Sequence, residues 1–400
     1  MVISACVQPV QNNSKKNESL LLYQPGSFGY DLHFLQQYDS VIVLQTDDRN
    51  AKIIVSPKYQ AKVFTSTCGT DGTSFGWLNY KAFSAATNGH MNAFGGENRF
   101  WLGPEGGKFS LFFNKGAKME FANWKTPAAF DTEPWSIAGR SDYSVHLQKQ
   151  MSLTNYNGNQ LHLLVNRTIT ILTQQKIDQL IGIKADTALR AVGYETNNEL
   201  TNTGTSPWSE KTGLPCMWIL DMFKPTPETV IIFPFKKAKG KPFTEIATTN
   251  YFGEIPSNRI KHTDEVLFFK ADGKYRGKIG IHPQFAKQVA GSYDYKNKVL
   301  TVIIFQIDST AKYLNQEWNT TKPPFSGDAA NAYNDGPLAD GSQMGPFYEI
   351  ESVSPAAFLP PKQTLSHRQS VFHFSGSEQG INAIVENVFG VTVADIKKAL

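Results

Sequence analysis

The amino-acid sequence predicts an all-β protein, mainly antiparallel, with a few short helices. Short segments rich in β-branched and aromatic residues recur along the chain, and turns rich in Gly, Asn and Asp separate them. Aromatic residues make up 12% of the 400 residues, which favours strands. No long helical patterns alternate with the strands, as they would around a parallel sheet. These observations together predict a large antiparallel β-sandwich.

The first elements are a helix and a hairpin. Residues 29–38 (GYDLHFLQQY) place Leu32, Phe34 and Leu35 at helical spacing, which predicts a short amphipathic helix. SVIVLQ, a DDRN turn and AKIIVSP then predict a β-hairpin. Asn-Gly at 157–158 and Asp-Gly at 272–273 suit tight turns between later strands. Those strands are predicted at 61–67, 99–103, 108–113, 144–153, 161–172, 189–198, 229–235, 265–271, 275–281, 298–307, 347–352 and 370–375.

Two short helices are predicted at the C-terminus. SEQGINAIVENVFG ends in Gly390, a suitable C-cap, and TVADIKKAL begins with Thr392, a suitable N-cap. No repeat of fixed period and no linker divides the chain. We therefore expect a tether at residues 1–20 and a single β-sandwich domain at 21–400. Helices are expected only near 29–38 and after 377.

The N-terminal residues predict a lipid anchor. ISAC, which ends at Cys6, resembles a bacterial lipobox, and the polar stretch QNNSKKNES follows it. A basic and an apolar region normally precede such a motif, so either the native gene begins upstream of Met1 or the match is due to chance. The first interpretation predicts a secreted lipoprotein of the periplasm or outer membrane, attached only through a lipid on Cys6. Cys68 and Cys216 are expected to be buried free thiols, with a disulfide as the alternative.

Composition excludes several classes of partner. The net charge of +4 is small, and the densest basic run, FKKAKGKPF, is interpreted as a solvated hairpin loop, so no nucleic acid partner is expected. No stretch of about 20 apolar residues would span a membrane. His367 and His373 share a strand parity but lack a carboxylate as third ligand, so neither a metal nor a cofactor is predicted. We expect a monomer.

Two glutamates in one strand are the candidate catalytic residues. In FYEIES (347–352), Glu349 and Glu351 share a face, with Cα atoms about 6.5–7 Å apart. Tyr348 and Ile350 occupy the other face and suit the protein interior. We therefore predict that both glutamates line an outward, concave sheet surface. An ordinary solvated sheet face is the alternative.

Candidate substrate-binding residues precede this strand. The segment FSGDAANAYNDGPLADG (325–341) is dense in side chains that can hydrogen-bond a polyol, with turn formation as the alternative. Trp318 offers a flat ring for the face of a sugar. The candidates from this region are Trp318, Asn331, Asn334 and Asp335.

A second candidate binding segment is NGHMNAFGGENRFWLGPEGG at 88–107. If ENRFW is extended, Glu97, Arg99 and Trp101 share a face. A carboxylate, a guanidinium and an indole together suit a sugar, because the charged groups bind hydroxyls and the ring stacks. The glycine spacing fits no phosphate-binding motif. The alternative is a surface ion pair between Glu97 and Arg99.

Three segments resemble galactose-mutarotase-like proteins, and more closely a secreted Bacteroidetes-type branch of that superfamily. They are GGENRFWLGPEGG, TNTG…GLPCMWILDMF and PFYEIESVSPAAFLPPKQTLSH, in that order over roughly residues 28–375. The resemblance implies a β-supersandwich with a sugar on its concave sheet and Glu349 as catalytic base, next to Glu351. It also implies two histidines. The segment expected to carry the second has none, and His90 is a loose candidate for the first.

The combined prediction is a carbohydrate-binding protein in which Glu349 transfers a proton at an anomeric hydroxyl or a sugar C–H, as in an aldose-epimerase-like isomerase. Glu351 would raise the pKa of Glu349, and Arg99 would orient the substrate. One alternative is a non-catalytic carbohydrate-binding or scaffold protein. Another is a glycoside hydrolase or lyase on the same fold, with Glu97 or Glu105 as the second acid.

Overall fold

Two antiparallel sheets, of ten and six strands, pack face to face in the computed structural model, which describes residues 23–69 and 72–400. A three-stranded sheet in the order β1-β2-β3 adjoins them. The strands are β1 (Ile42–Gln45), β2 (Ala51–Ser56), β3 (Lys62–Cys68), β4 (Arg99–Gly103), β5 (Ser136–Arg140), β6 (Ser144–Thr154), β7 (Gln160–Ile171), β8 (Arg190–Asn202), β9 (Cys216–Phe223), β10 (Thr229–Pro234), β11 (Ala247–Thr248), β12 (Ile260–His262), β13 (Val266–Lys270), β14 (Gly277–Ile281), β15 (Val289–Asp294), β16 (Val299–Phe305), β17 (Ala330–Asn334), β18 (Tyr348–Val353) and β19 (Thr364–Ser375). The predicted all-β, mainly antiparallel class is confirmed.

The order of strands places the two predicted glutamates at the centre of the smaller sheet. The ten-stranded sheet runs β12-β13-β10-β15-β16-β19-β8-β7-β6-β5, and the six-stranded sheet runs β11-β14-β17-β18-β9-β4. Strand β18 therefore lies between β17 and β9. Its partners include Ala332 and Asp221, both opposite Ile350.

Apolar side chains fill the space between the sheets and the space beneath the helices. Phe100, Ile219 and Ile350 from the smaller sheet pack in one buried cluster with residues of the larger sheet, such as Val165. A second cluster lies on the opposite face of the larger sheet, under three of the four α-helices that residues 23–69 and 72–400 contain. The helices are α1 (Phe28–Leu35), α2 (Gln174–Ile181), α3 (Glu378–Phe389) and α4 (Val393–Ala399). The molecule is thus layered as helices, large sheet, small sheet.

The predicted ends of the C-terminal helices are confirmed. Gly390 has a φ of +72° and ends α3, and the hydroxyl of Thr392 caps α4 in a capping box with Asp395. None of the four helices in residues 23–69 and 72–400 has both the length and the apolar character that crossing a bilayer requires.

The expectation that helices occur only near 29–38 and after 377 is wrong, because α2 was not predicted. The hydroxyl of Thr173 accepts from the backbone N–H of Lys176, and Gly182 ends the helix with a φ of +74°. Ile177 and Ile181, one turn apart, are buried against the larger sheet. The helix is only eight residues long, and its three apolar residues, Ile177, Leu180 and Ile181, make too short a pattern to stand out in the sequence.

Two further expectations are corrected. Residues 108–113 form buried turns and no strand, although their apolar side chains pack in the core. Asp272 and Gly273 do not close a hairpin, since β13 before them and β14 after them belong to different sheets. Cys68 and Cys216 are both buried and free, as expected. Cys6 lies outside the described residues, so the lipid anchor stays a prediction.

Candidate active site

A cleft of about 840 Å³ opens on the outer face of the six-stranded sheet, away from the large sheet. An adjoining lobe of about 990 Å³ shares with it Glu105, Phe252, Arg276, Lys278 and Trp318. Outward-facing side chains of five strands form the floor, as the alternation of strands requires. These floor residues are Arg99, Trp101, Trp218, Leu220, Met222, Lys278, Tyr333, Glu349 and Glu351.

The two glutamates share the face that their spacing predicts. Glu349 lies opposite Met222 on β9 and Tyr333 on β17, and all three side chains line the cleft. Tyr348 and Ile350 point to the other side of the sheet and are buried. The predicted orientation of the strand is therefore confirmed.

Glu349 is paired through only one of its oxygens. The Nη2 of Arg99 donates to Oε1 of Glu349, and both side chains are more than nine-tenths buried. No hydrogen bond to Oε2 is present among the described residues. The guanidinium of Arg99 also lies over the ring of Trp101, 5.1 Å from its centre. Glu349 is thus fixed in place while one oxygen is available to a molecule in the cleft.

Glu351 has both oxygens occupied. The Nζ of Lys278 lies 3.1 Å from Oε1 and 2.9 Å from Oε2, and Nε1 of Trp218 donates to Oε2 at 2.8 Å. The same ammonium lies 4.9 Å from the centre of the Trp218 ring. This arrangement suits a residue that holds Lys278 and Trp218 in position.

Burial brings the pKa values of two carboxyl groups in the cleft close to neutral pH. It raises the pKa of the Glu349 carboxyl to about 7; Arg99 opposes the shift and Glu351 adds to it. Burial likewise raises the pKa of Glu105 to about 7, although Lys278 opposes that shift. Burial alone would lower the pKa of Lys278, but Glu351 and Glu105 outweigh it and hold that pKa above its ordinary value.

Aromatic side chains form the walls. Four tryptophans line the cleft, at 101, 124, 218 and 318, and Trp124 stacks on Trp318 with ring centres 6.0 Å apart. Eight large apolar residues in the described part of the chain are exposed, and four of them, Phe121, Phe252, Trp318 and Met344, line this cleft. Exposed apolar surface is therefore concentrated here, as at a binding site.

Some buried donors beside the cleft have no acceptor. Within residues 23–69 and 72–400, the Nε of Arg99 and the Nε1 of Trp124 are buried without a hydrogen-bond partner. Leaving a buried donor unpaired costs about 1–3 kcal/mol. Both residues line the cleft.

Comparison with known proteins gives a family. A model described as a family of unknown function, DUF6786, matches residues 26–400. The chain belongs to the DUF6786 family. A comparison with curated proteins gave no match. That this DUF6786 chain falls in a secreted Bacteroidetes-type branch stays a prediction.

Several solved structures are similar to this DUF6786 chain. A provisionally named aldose 1-epimerase from Escherichia coli K12 is 11% identical with a TM-score of 0.49, over 84% of this chain and 98% of that one. A galactose mutarotase-like protein from Lactobacillus casei ATCC 334 is 10% identical with a TM-score of 0.46, over 84% and 99%. A galactose mutarotase related enzyme from Lactobacillus acidophilus is 8% identical with a TM-score of 0.44, over 84% and 97%. Likeness of fold at such identities says nothing about activity.

Glu97 does not share the cleft with Arg99 and Trp101, so that expectation is wrong. It is fully buried behind the sheet, where Oε1 accepts from the hydroxyl of Ser66 at 2.7 Å and lies 3.0 Å from Nε2 of His373. Strand β4 begins only at Arg99, and the preceding glycines at 95 and 96 have φ of +83° and +129°. The alternation of the strand therefore does not extend back to Glu97.

Three residues predicted in the 325–341 segment do not line the cleft either. Asn331 lies next to Glu351 on the outward face but is buried, and its Oδ1 lies 3.4 Å from the hydroxyl of Tyr251. Asn334 points inward, where it accepts from the backbone N–H of Gly273. Asp335 lies behind Tyr333 and accepts from its hydroxyl at 3.1 Å. Since 330–334 is strand β17 rather than a loop, alternate residues must face away from the cleft.

His90 supports the wall from behind. Its Nδ1 lies 2.6 Å from the carbonyl oxygen of Trp124, and its ring stacks on Phe121 with centres 4.6 Å apart. Sequence analysis missed Lys278 and Arg276, which line the cleft from β14 and the residue before it. Their sequence pattern is the same as that of the two glutamates: two charged residues, two positions apart, next to apolar strand residues. That pattern could have predicted that both side chains lie on one face.

Proposed function

We propose that this DUF6786 protein binds a carbohydrate in the cleft and that Glu349 transfers a proton to or from it. The observation that carries this proposal is the combination of indole walls with a buried carboxylate that has one free oxygen. Flat aromatic rings pack against the apolar faces of sugars, and charged groups bind their hydroxyls.

The geometry favours Glu349 over Glu351 as the proton-transferring group. A general base needs an oxygen within reach of the proton it accepts and a pKa near the working pH. Glu349 has a free oxygen and a pKa of about 7, whereas both oxygens of Glu351 bind neighbours. In this proposal Glu351 positions Lys278 and Trp218.

One reaction that the cleft can support is interconversion of the anomers of a free aldose. Glu349 would accept the proton of the anomeric hydroxyl while the bond between C1 and the ring oxygen breaks and an acid protonates that oxygen. Glu105 is the candidate acid, since burial raises its pKa to about 7. The same two carboxyl groups favour glycoside hydrolysis as the second candidate, in which Glu105 would protonate the leaving oxygen and Glu349 would take a proton from the water that attacks C1.

The test begins with a sugar-array binding screen, followed by NMR of anomeric exchange and of glycoside cleavage for each sugar bound. Glu349→Gln should lower turnover by about 100-fold or more, because it removes the base and keeps the shape. The matched control is Glu254→Gln, an exposed carboxylate outside the cleft, which should behave as wild type. Binding without any turnover would leave the non-catalytic alternative, and no binding at all would refute the proposal.

The anchor is a separate proposal. Acylation of Cys6 would hold the protein at the periplasmic or outer-membrane surface, as the ISAC motif predicts. Mass spectrometry of the native membrane fraction would detect the lipidated peptide. An unmodified N-terminal peptide in the soluble fraction would contradict it.

A further inference from the structure

Arg276 differs from the other two cations of the cleft in having no carboxylate partner. Arg99 pairs with Glu349, and Lys278 pairs with Glu351. No ion pair involves Arg276 among residues 23–69 and 72–400. Arg276 and Lys278 line both the cleft and the adjoining lobe, so a ligand in either cavity would lie near Arg276.

The side chain of Arg276 is held in place by neutral groups. Its guanidinium carbon lies 3.7 Å from the centre of the Phe252 ring, and its Nε donates to the hydroxyl of Tyr333 at 3.3 Å. Tyr333 in turn donates to Asp335, which also accepts from the backbone N–H of Gly345 at 2.8 Å. The two terminal nitrogens of Arg276 make no hydrogen bond to any described residue. A planar pair of donors is thus presented to the cleft.

The charges of the cleft leave an excess of positive charge near neutral pH. Three cations line it, against Glu105, Glu349 and Glu351. Glu349 and Glu351 are already paired with Arg99 and Lys278, and burial raises the pKa of Glu105, the third carboxyl group, to about 7, so Arg276 is balanced only in part near neutral pH. An uncharged sugar would leave this excess uncompensated inside a largely apolar cavity.

We propose that the ligand of the cleft is an acidic sugar and that Arg276 binds its anionic group. This rests on the proposed carbohydrate-binding function and adds the class of sugar. A guanidinium forms two parallel hydrogen bonds with a carboxylate or a sulfate, so a hexuronate and a sulfated sugar offer the same recognisable group. The aromatic rings beside Arg276, Phe252 and Trp318, would contact the apolar faces of the sugar rings.

The experiment compares ligands that differ only in charge. Binding of oligogalacturonate, oligoglucuronate and alginate oligosaccharides to wild type is measured by calorimetry, each against its own methyl ester. A sulfated galactan oligosaccharide is measured against its desulfated form. At least one acidic member should bind about tenfold or more tightly than its neutral partner, since hydrogen bonds to charged groups are stronger than those to neutral groups. The acidic ligand with the larger gain in affinity over its neutral partner shows whether the preferred anionic group is a carboxylate or a sulfate.

Substitution then assigns the preference to Arg276. Arg276→Gln should reduce affinity for the preferred acidic ligand by about tenfold or more and leave affinity for its neutral partner within about twofold. Arg276→Lys should keep part of the preference, and Arg140→Gln, an exposed residue on β5, should keep all of it. Neutral and acidic partners bound equally well by wild type would refute the inference and leave the proposed function intact. Failure of every sugar to bind would refute both.

Discussion

At the level of single residues, Glu349 and Glu351 share one face of a strand but differ in their hydrogen-bond partners and therefore in the chemistry they can perform. Both lie on one face of β18. Glu349 keeps one oxygen free of hydrogen bonds, whereas Lys278 and Trp218 donate hydrogen bonds to the two oxygens of Glu351. The strand period fixes the direction of a side chain, but its partners come from strands far away in sequence. The sequence therefore predicts the face and leaves the division of roles to tertiary structure.

The raised pKa of Glu105 predicts a pH-dependent stability. Because burial raises that pKa from 4.5 to about 7, the folded protein binds this proton more tightly than the unfolded chain does. The resulting stabilisation is present below about pH 4.5 and is lost as pH rises through about 7. Relative to Glu105→Gln, the free energy of unfolding of wild type should fall by about 1–3 kcal/mol across this window.

Urea unfolding of both proteins at several values from pH 4.5 to 7.5 measures this difference. Glu254→Gln serves as the exposed control, and its curve should run parallel to that of wild type. Parallel curves for Glu105→Gln as well would show that the Glu105 carboxyl is not perturbed by burial.

Glu97 shows where residue-level prediction fails. Glu97 would share a face with Arg99 and Trp101 only if it belonged to the same strand. The turn at the glycines before it makes the strand begin at Arg99 instead. Gly96 is followed by two residues whose side chains both enter the layer between the sheets, Glu97 to Ser66 and Asn98 to Asp221. A non-extended residue at the edge of a strand cannot be recognised from alternation alone.

At the level of elements, a buried arginine connects three sheets. Arg167 on β7 donates from Nε to the carbonyl oxygen of Ala61 at 3.0 Å and from Nη1 to Oδ1 of Asn198 on β8 at 2.5 Å. Its Nη2 donates to Asn98, which directly precedes β4 of the smaller sheet. Ala61 directly precedes β3 of the three-stranded sheet. The side chain is fully buried, so these bonds fix the sheets against each other where no water replaces them.

Arg167→Met should therefore lower the free energy of unfolding by about 3–5 kcal/mol, because it leaves three buried acceptors without a donor. Arg167→Lys should restore little, since an ammonium lacks the fork that reaches all three. Chemical denaturation measures both variants beside Arg140→Met, an exposed substitution expected to change stability by less than about 0.5 kcal/mol. A loss below about 1 kcal/mol for Arg167→Met would show that the network does not hold the sheets together.

Two interior strands of the smaller sheet escaped prediction for opposite reasons. CMWILDMF forms β9, between β18 and the edge strand β4, and its near-continuous apolar run lacks alternation because the outward side chains, which form part of the cleft floor, are apolar as well. ANAYN forms β17, where Asn and Ala suggest a turn from sequence. The small alanines Ala330 and Ala332 face the core, and the partners of β17 on both sides supply the pairing that local propensity does not.

For the whole molecule, the tryptophans are concentrated at the cleft in which we propose that a carbohydrate binds. Four of the seven tryptophans line the cleft, although the cleft occupies one face of one sheet. A ligand that stacks there should change the intrinsic fluorescence. Trp318, 37% exposed and stacked on Trp124, is the residue best placed to contact a sugar without supporting the core.

Trp318→Ala should weaken carbohydrate binding about 3–10-fold, because loss of one aromatic contact costs about 0.5–1.5 kcal/mol, and should reduce the fluorescence change on binding. Stability should change little, since the ring is at the rim. Phe358→Ala is the matched control: it removes an aromatic ring that is 43% exposed and lies outside the cleft, so affinity should stay at the wild-type value. Titration of each variant with the sugar selected on the array gives both readouts. Equal affinity in wild type and Trp318→Ala would exclude stacking on this ring and place the sugar elsewhere in the cleft, whereas equal losses in both variants would indicate a general effect of removing surface aromatic groups.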